Sequence, residues 1–293
     1  MSACDSCPSK ASCTSQSSCP SASGEGASSN NEQTNQIPFE KLNDKSSVKK
    51  VIGVCSGKGG VGKSFVTSVL AARLARDGYN VGIIDADITG PSIPKAFGLT
   101  ESLKGDENKL IIPAVTHSGI KVVSVNLLLE NADAPVLWRG PVIAGLVKQF
   151  YTDVNWGPLD VLLIDMPPGT GDVPLTVFQS IKLDGILLVS TPQDLVSMIV
   201  NKARNMALMM QVKVLGFVEN MSFVKCPDCG KEIKLFGDNN NVEKAASEMG
   251  CQVLDKLGLD PQITALVDSG DIEKVPNGTL DGATKLVKDM IGD

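Results

Sequence analysis

Residues 51 to 64 read Val-Ile-Gly-Val-Cys-Ser-Gly-Lys-Gly-Gly-Val-Gly-Lys-Ser, a short apolar run that breaks into glycines and closes on a lysine and a serine. From Gly57 the spacing is that of a phosphate loop: one glycine, four residues (Lys58, Gly59, Gly60, Val61), then Gly62, Lys63 and Ser64. The flanks agree with the loop. Val51 to Cys55 has the composition of a buried strand, and Val66, Val69, Leu70 and Leu74 fall at helical spacing between Ser64 and Asp77. A turn from strand into helix presents N–H groups and a partial positive charge, and glycines let the backbone close around an anion. Gly57 to Phe65 are therefore expected to line the phosphates of ATP or ADP, with Lys63 on the β- and γ-phosphates and Ser64 on Mg²⁺.

Downstream, apolar runs alternate with helical patterns. Asn80–Ile84 leads into Asp85-Ala86-Asp87, Val161–Ile164 ends in Asp165, and Gly185–Thr191 and Lys213–Val218 are further apolar strands, the last ending at Glu219-Asn220. Short strands are expected at 110–112 and 120–126, with the only histidine, His117, in the surface turn between them. Helices are expected at Val142–Tyr151, with Val142, Leu146, Val147 and Phe150 on its core face, at Asp194–Met210, at Asn241–Met249, at Pro261–Asp268 and at Gly282–Ile291. The Met206, Met209 and Met210 cluster reads as core packing, and Cys251–Leu257 as a strand. This alternation implies an α/β fold, a mostly parallel, doubly wound sheet of the P-loop NTPase type. Carboxylates at the C-terminal ends of its strands then face the ligand crevice. Asp87 and Asp165 are placed there, Asp165 towards Mg²⁺ through water, each followed by a Gly- and Pro-containing loop able to move with the γ-phosphate. Arg139 reads equally as a phosphate contact or a structural ion pair.

Composition narrows the function classes. Hydrophobic residues at 42% and charged at 20% of 293 residues provide a sizeable core. Aromatics at 4% and a net charge of −6 argue against nucleic acid and against anionic lipid, so neither nucleic-acid binding nor stable membrane association is expected. No apolar run approaches the roughly 18 to 20 residues of a bilayer span, and no apolar leader opens the chain, which suggests a cytoplasmic protein. The eight cysteines then point to thiols and metal ligation.

Their placement is uneven. Residues 1 to 47 hold eleven serines in the first thirty positions and few large apolar groups, and read as a flexible arm, with residues 48 to 293 as the ATPase domain. In the arm Cys4, Cys7, Cys13 and Cys19 supply the four thiolates that one Zn²⁺ or one [4Fe–4S] cluster uses. Cys226-Pro-Asp-Cys229-Gly supplies only two. With Cys55 and Cys251 assigned to strands as inert thiols, a second copy of the chain is the economical source of the other pair, through an isologous homodimer. On spacing alone a [4Fe–4S] cluster and half of a structural zinc knuckle stand even.

The lysine after the first glycine adds a resemblance. Gly57-Lys58-Gly-Gly-Val-Gly-Lys63-Ser64 resembles the deviant phosphate loop of the MinD, ParA and nitrogenase iron protein class of dimeric ATPases. With Asp85-Ala-Asp-Ile-Thr-Gly-Pro-Ser, Ile164-Asp-Met-Pro-Pro-Gly-Thr-Gly-Asp and Cys226-x2-Cys229, the chain from residue 50 onward is similar to the Mrp-type iron–sulfur cluster carrier ATPases. The resemblance implies that Lys58 crosses the dimer interface to the partner's nucleotide, that Asp87 lies in switch I and assists hydrolysis, that Asp165 begins switch II, and that Asn220 reads adenine. It also implies that Cys226 and Cys229 bridge a labile [4Fe–4S] cluster, which breaks the even reading in favour of iron. The arm is similar to that of the family's eukaryotic cytosolic members, which carry a distant cysteine before a C-x2-C-x5-C run. Here Cys4, Cys7 and Cys13 match that run, and Cys19 follows it.

The expected function is thus a slow, Mg²⁺-dependent ATPase that carries a [4Fe–4S] cluster at a homodimer interface and passes it to apo iron–sulfur proteins. The alternative from another class is a MinD- or ParA-like switch that dimerises on ATP to bind membrane or DNA, with structural zinc at the Cys-x2-Cys pair.

Overall fold

The computed structural model describes residues 39–87, 92–128, 140–169, 171–193, 211–237 and 240–292. The expected helix at Asp194–Met210, Arg139, the four arm cysteines and the loop after Asp87 lie outside these residues.

Eight strands form one sheet in the order β12-β9-β8-β1-β7-β2-β6-β5. Its centre is β1 (Ser47–Ser56) between β7 (Pro158–Asp165) and β8 (Gly185–Ser190), both parallel to it. β2 (Val81–Asp85) and β6 (Lys121–Ser124) extend the parallel sheet on one side, and β9 (Val214–Glu219) and β12 (Val253–Lys256) on the other. Only the edge strand β5 (Ala114–Val115) runs antiparallel.

The central strands are apolar without alternation because both faces are covered. Along β7, Leu162 and Ile164 enter the core beneath α3 (Gly140–Thr152) and α4 (Asp172–Ser180), together with Trp156 and Phe150. Val161 and Leu163 point the other way, into the core beneath α1 (Lys63–Arg76). Val66, Val69, Leu70 and Leu74 of α1 are fully buried there, as their spacing predicts. The C-terminal helix, Asp281–Gly292, closes the same face through Val287 and ties Lys288 to Asp77 at 2.9 Å.

Several boundaries differ from expectation. β1 begins at Ser47, and the residues before it are docked: Asn43 Nδ2 donates to the carbonyls of Thr152 and Val154, both at 2.8 Å. The expected strand at 110–112 reduces to β4 (Ile111–Ile112), paired with β3 (Lys104–Gly105), and that at 120–126 ends at Ser124, where the serine hydroxyl caps a 3₁₀ turn at Val125–Leu127. Val142 is not on the core face of α3. It is 57% exposed at the helix start, and Ala144, Val147 and Phe150 provide the buried stripe instead. Cys251 precedes β12 and does not lie in it; half-buried, it donates to the Ala246 carbonyl at 3.5 Å. His117 is exposed in its turn.

Candidate nucleotide site and cysteine knuckle

The phosphate loop follows β1 at the edge where β2 and β7 also end. Parallel register sets Asp165 beside Val54 and Asp85 beside Asp165, so two carboxylates reach the rim directly next to the glycines. Gly60 and Gly62 hold left-handed φ of 76° and 82°, which a side chain would strain. A Cβ on Gly62 would also lie 2.2 Å from Asn220 Nδ2. Because Gly62 caps α1 and has no side chain, the first-turn N–H groups receive no side-chain cap, and that turn contains no acidic residue. These N–H groups open onto a cavity of about 330 Å3 bounded by the loop, Asp87, Pro168 and Val267. An unfilled donor set with a glycine cradle fits a polyphosphate.

Lys63, only 5% exposed, places Nζ 2.7 Å from Asp165 Oδ1 and 3.5 Å from Asp87 Oδ2. Asp165 is fully buried and also accepts from the Ser64 hydroxyl at 2.5 Å and the Thr67 hydroxyl at 3.1 Å. Burial pushes its carboxyl up, against the opposing pull of Lys63 and the hydroxyls. Asp85 has no lysine on it. It accepts from Ser124 Oγ at 2.8 Å and from the Asp87 N–H at 3.2 Å, and burial together with the Asp165 charge drives its carboxyl well above the usual range. Of this pair, Asp165 has the cation and two hydroxyls that favour its charge, and Asp85 has the like charge of Asp165 against it.

Sequence reasoning placed Lys63, Ser64, Asp87 and Asp165 here, and the fold brings them together. It passed over Asp85 as a site residue, and Thr67 altogether. The signal for Asp85 was present, since it is the last residue of an apolar strand, as Asp165 is. Thr67 is legible only as the position one helical turn after Lys63. Lys58 does not enter the cavity; its ammonium donates to the Gln193 side chain just beyond β8.

A second hollow of about 210 Å3 adjoins the first, sharing Gly62, Phe65 and Val267 and adding Asn220, Gly258 and Asp260. Asn220 is buried at the end of β9 and donates from Nδ2 to the Val61 carbonyl at 2.9 Å. Asp260 caps α6 (Pro261–Ser269) by accepting from the Gln262 N–H at 2.8 Å.

Cys226 and Cys229 sit on a separate hairpin of β10 (Val224–Lys225) and β11 (Glu232–Ile233). The Cys226 N–H donates to the Lys231 carbonyl and the Gly230 N–H to the Cys226 carbonyl, each at 2.9 Å, so the intervening residues form a tight knuckle. The Cys229 N–H, then the Asp228 N–H, hold the Cys226 thiol below its ordinary range. Cys226 is half-buried and Cys229 exposed. Among the described residues no third histidine, cysteine or carboxylate joins them to make a metal-ligating group. Cys55 is the opposite case: buried beneath the loop, its thiol is pushed up to about 12.

Comparison with known proteins gives the family. Residues 47–291 match the family model ParA, the NUBPL iron-transfer P-loop NTPases. The iron–sulfur cluster carrier protein of Clostridium perfringens is 44% identical over 281 residues, covering 94% of each chain. A nucleotide-binding protein from Archaeoglobus fulgidus, solved in complex with ADP, is similar at TM-score 0.70 and 42% identity, over 78% of this chain and 90% of that one. MinD in its MinC complex from Aquifex aeolicus shares the fold at TM-score 0.58 and 19% identity, over 83% and 96% of the two chains. A phosphate loop beside two strand-end carboxylates, a two-thiol knuckle and a match across almost the whole described domain lead to one conclusion: this chain belongs to the ParA/NUBPL family of iron-transfer P-loop NTPases.

Proposed function

We propose that this protein is an ATP-dependent carrier that holds a [4Fe–4S] cluster between two copies of itself, passes it to apo iron–sulfur proteins in the cytoplasm, and hydrolyses ATP slowly. The observation that carries this reading is the half-complete knuckle. Cys226 and Cys229 offer two thiols, one of them favoured as thiolate, and no third ligand stands with them among the described residues. A cubane cluster takes four thiolates, and a two-fold axis through the cluster supplies two from each chain. The tail cysteines Cys4, Cys7, Cys13 and Cys19 are proposed as a second site on the same chemical ground.

At the other site, Gly57 to Phe65 bind the phosphates through backbone N–H groups and the N-terminus of α1. Lys63 would turn from Asp165 to phosphate oxygen, and Ser64, with Asp165 through water, would hold Mg²⁺, whose charge would offset that of the phosphates. Ser64 can offer a lone pair to the ion while its proton stays on Asp165, so the hydrogen bond already in place is retained. Asp87 orients the attacking water, and Asn220 lines the base-side hollow. Lys58, once released from Gln193, reaches the nucleotide of the facing copy. The same dimer completes both sites, so nucleotide state sets how tightly the cluster is held, provided ATP and ADP forms differ in cluster affinity.

The test is anaerobic reconstitution of wild-type, Cys226→Ser and Cys229→Ser proteins, followed by transfer to an apo iron–sulfur acceptor. Wild-type protein is expected to gain broad absorption near about 400 nm and four irons per dimer at the knuckle, the number one cubane contains. Each variant is expected to lose this cluster and its transfer and to keep nucleotide affinity. Undiminished transfer by the variants, or zinc without iron in the wild type, refutes the reading.

A further inference from the structure

The two sites are joined by a short piece of backbone. After Asn220, Met221 turns the chain through a left-handed φ of 58°, an uncommon conformation for a residue with a side chain. From there the segment runs beside the stretch that walls the base-side hollow. The Ser222 N–H donates to the Leu257 carbonyl and the Leu259 N–H to the Phe223 carbonyl, each at 2.8 Å, and Val224 bridges to Leu259 in parallel register. The Phe223 ring lies flush on Gly258, where a Cβ would come within 2.6 Å of a ring carbon. Gly258, Leu259 and Asp260 line the hollow on one side, and Cys226 is three residues beyond Phe223 on the other. No side chain larger than glycine's hydrogen separates the wall of one site from the root of the other.

We propose that Phe223, seated on Gly258, is a positioning residue that transmits occupation of the base-side hollow by a nucleotide base to the Cys226–Cys229 knuckle. Phe223 is half-buried with its ring directly against Gly258, so displacement of residues 258–260 by a base presses on the ring and, through the backbone links, on the hairpin behind it. The left-handed Met221 is the point about which the segment turns. Three backbone links keep the two stretches in register, so the motion reaches Cys226 as a shift of the whole hairpin. This inference rests on the reading that the loop takes nucleotide and the knuckle takes cargo, and it adds the route between them.

The experiment reads the knuckle without iron. Full-length apo protein is alkylated with iodoacetamide with and without saturating MgADP, and the rates at Cys226 and Cys229 are followed by peptide mass spectrometry. In the wild type, MgADP is expected to change these rates by about fivefold or more, the lower range of ordinary coupling between sites. In Phe223→Ala the change is expected to vanish while MgADP affinity stays within about threefold of wild type, a shift too small to account for lost coupling. Circular dichroism and MgADP affinity certify the fold. Should Phe223→Ala not fold, Phe223→Leu, which keeps apolar burial without the reach of the ring, carries the test with the same expectation. A wild type whose thiols ignore MgADP, or a folded variant that keeps the full nucleotide effect, overturns the proposal. Iron reconstitution of the same wild-type preparation is scored apart: failure to take up iron sinks the cargo reading and leaves the thiol result standing.

Discussion

The phosphate loop and the cysteine knuckle solve opposite problems with ligand-binding groups. At the loop the backbone N–H groups at the start of α1 stand open, but the polar side chains beside them are already occupied: Lys63 by Asp165 and Asp87, Ser64 and Thr67 by Asp165, Asp85 by Ser124. The site is buried, and in a low-dielectric setting unpaired charge is too costly to leave standing. The knuckle is at the surface, where Cys229 is exposed and the Cys226 thiol is held by N–H groups of its own turn. The difference teaches what each site requires of its ligand. A nucleotide at the loop must replace existing internal bonds, whereas a ligand at the knuckle adds to two thiols beside which no third metal-ligating group stands among the described residues.

The largest effect that separates the two regions is expected from Lys63→Ala. It leaves Asp165 buried without its cation, which costs about 3–5 kcal/mol of stability. MgATP hydrolysis should fall on the order of 10²-fold, as for loss of one preorganised charge at a reacting phosphate. A thermal melt and a phosphate-release assay check both numbers, and a variant of unchanged stability would mean that the ion pair is not the internal counterweight described above.

Lys58→Ala sharpens the contrast differently, since its partner Gln193 is peripheral to the buried charges. Monomer stability should change by about 1 kcal/mol, the net contribution of a part-buried hydrogen bond. ATP-dependent dimerisation, followed by light scattering, should be lost while binding of ATP to the monomer persists. Dimerisation at wild-type strength would remove the role proposed for Lys58.

Asp85→Asn tests the buried proton. An aspartate whose folded value lies above its ordinary 3.8 favours folding at low pH and loses that contribution as pH rises from about 3.8 towards the folded value. Burial and the neighbouring Asp165 charge disfavour the Asp85 carboxylate in the fold, so the amide, which mimics the neutral acid, should stabilise apo protein at neutral pH. That gain should shrink as pH falls towards the ordinary aspartate range, where the wild type becomes protonated in both states. A melting series from about pH 3.5 to 8 decides it, and destabilisation at pH 7 would show that Asp85 is ionised in the fold.

The smallest effect belongs to the knuckle. Cys226→Ser should leave the apo protein's stability within about 0.5 kcal/mol of wild type, as for a surface change that removes no packing. A drop of several degrees in melting temperature would make the knuckle a structural element and erase the distinction drawn here.

Much of this was legible in the letters. Strand-end carboxylates, helical spacing in α1 and the glycine pattern each follow from local periodicity, and periodicity survives folding because it is what the core selects. The misses share a cause. Val142 satisfies the helical stripe but stands at the start of α3, outside the core that covers its later turns. Cys251 lies in an apolar run whose paired part begins only at Val253, a limit set by register with β9. Asp85 and Asp165 look alike in sequence, and only the fold gives Asp165 the contact with Lys63, Ser64 and Thr67 while setting Asp85 against the charge of Asp165.

The sequence by itself determined the phosphate loop, the central apolar strands with their terminal carboxylates, and the paired thiols at 226 and 229, because each is written within a few consecutive residues; the helix at Asp172–Ser180 was not among its expectations. Tertiary structure alone decided that burial and the neighbouring Asp165 raise the Asp85 carboxyl, that Lys58 rests on Gln193, and that Phe223 packs on Gly258 between the two sites. Those facts depend on which distant segments the sheet makes neighbours. Burial and close approach are properties of the packed chain, and no short stretch of residues contains them.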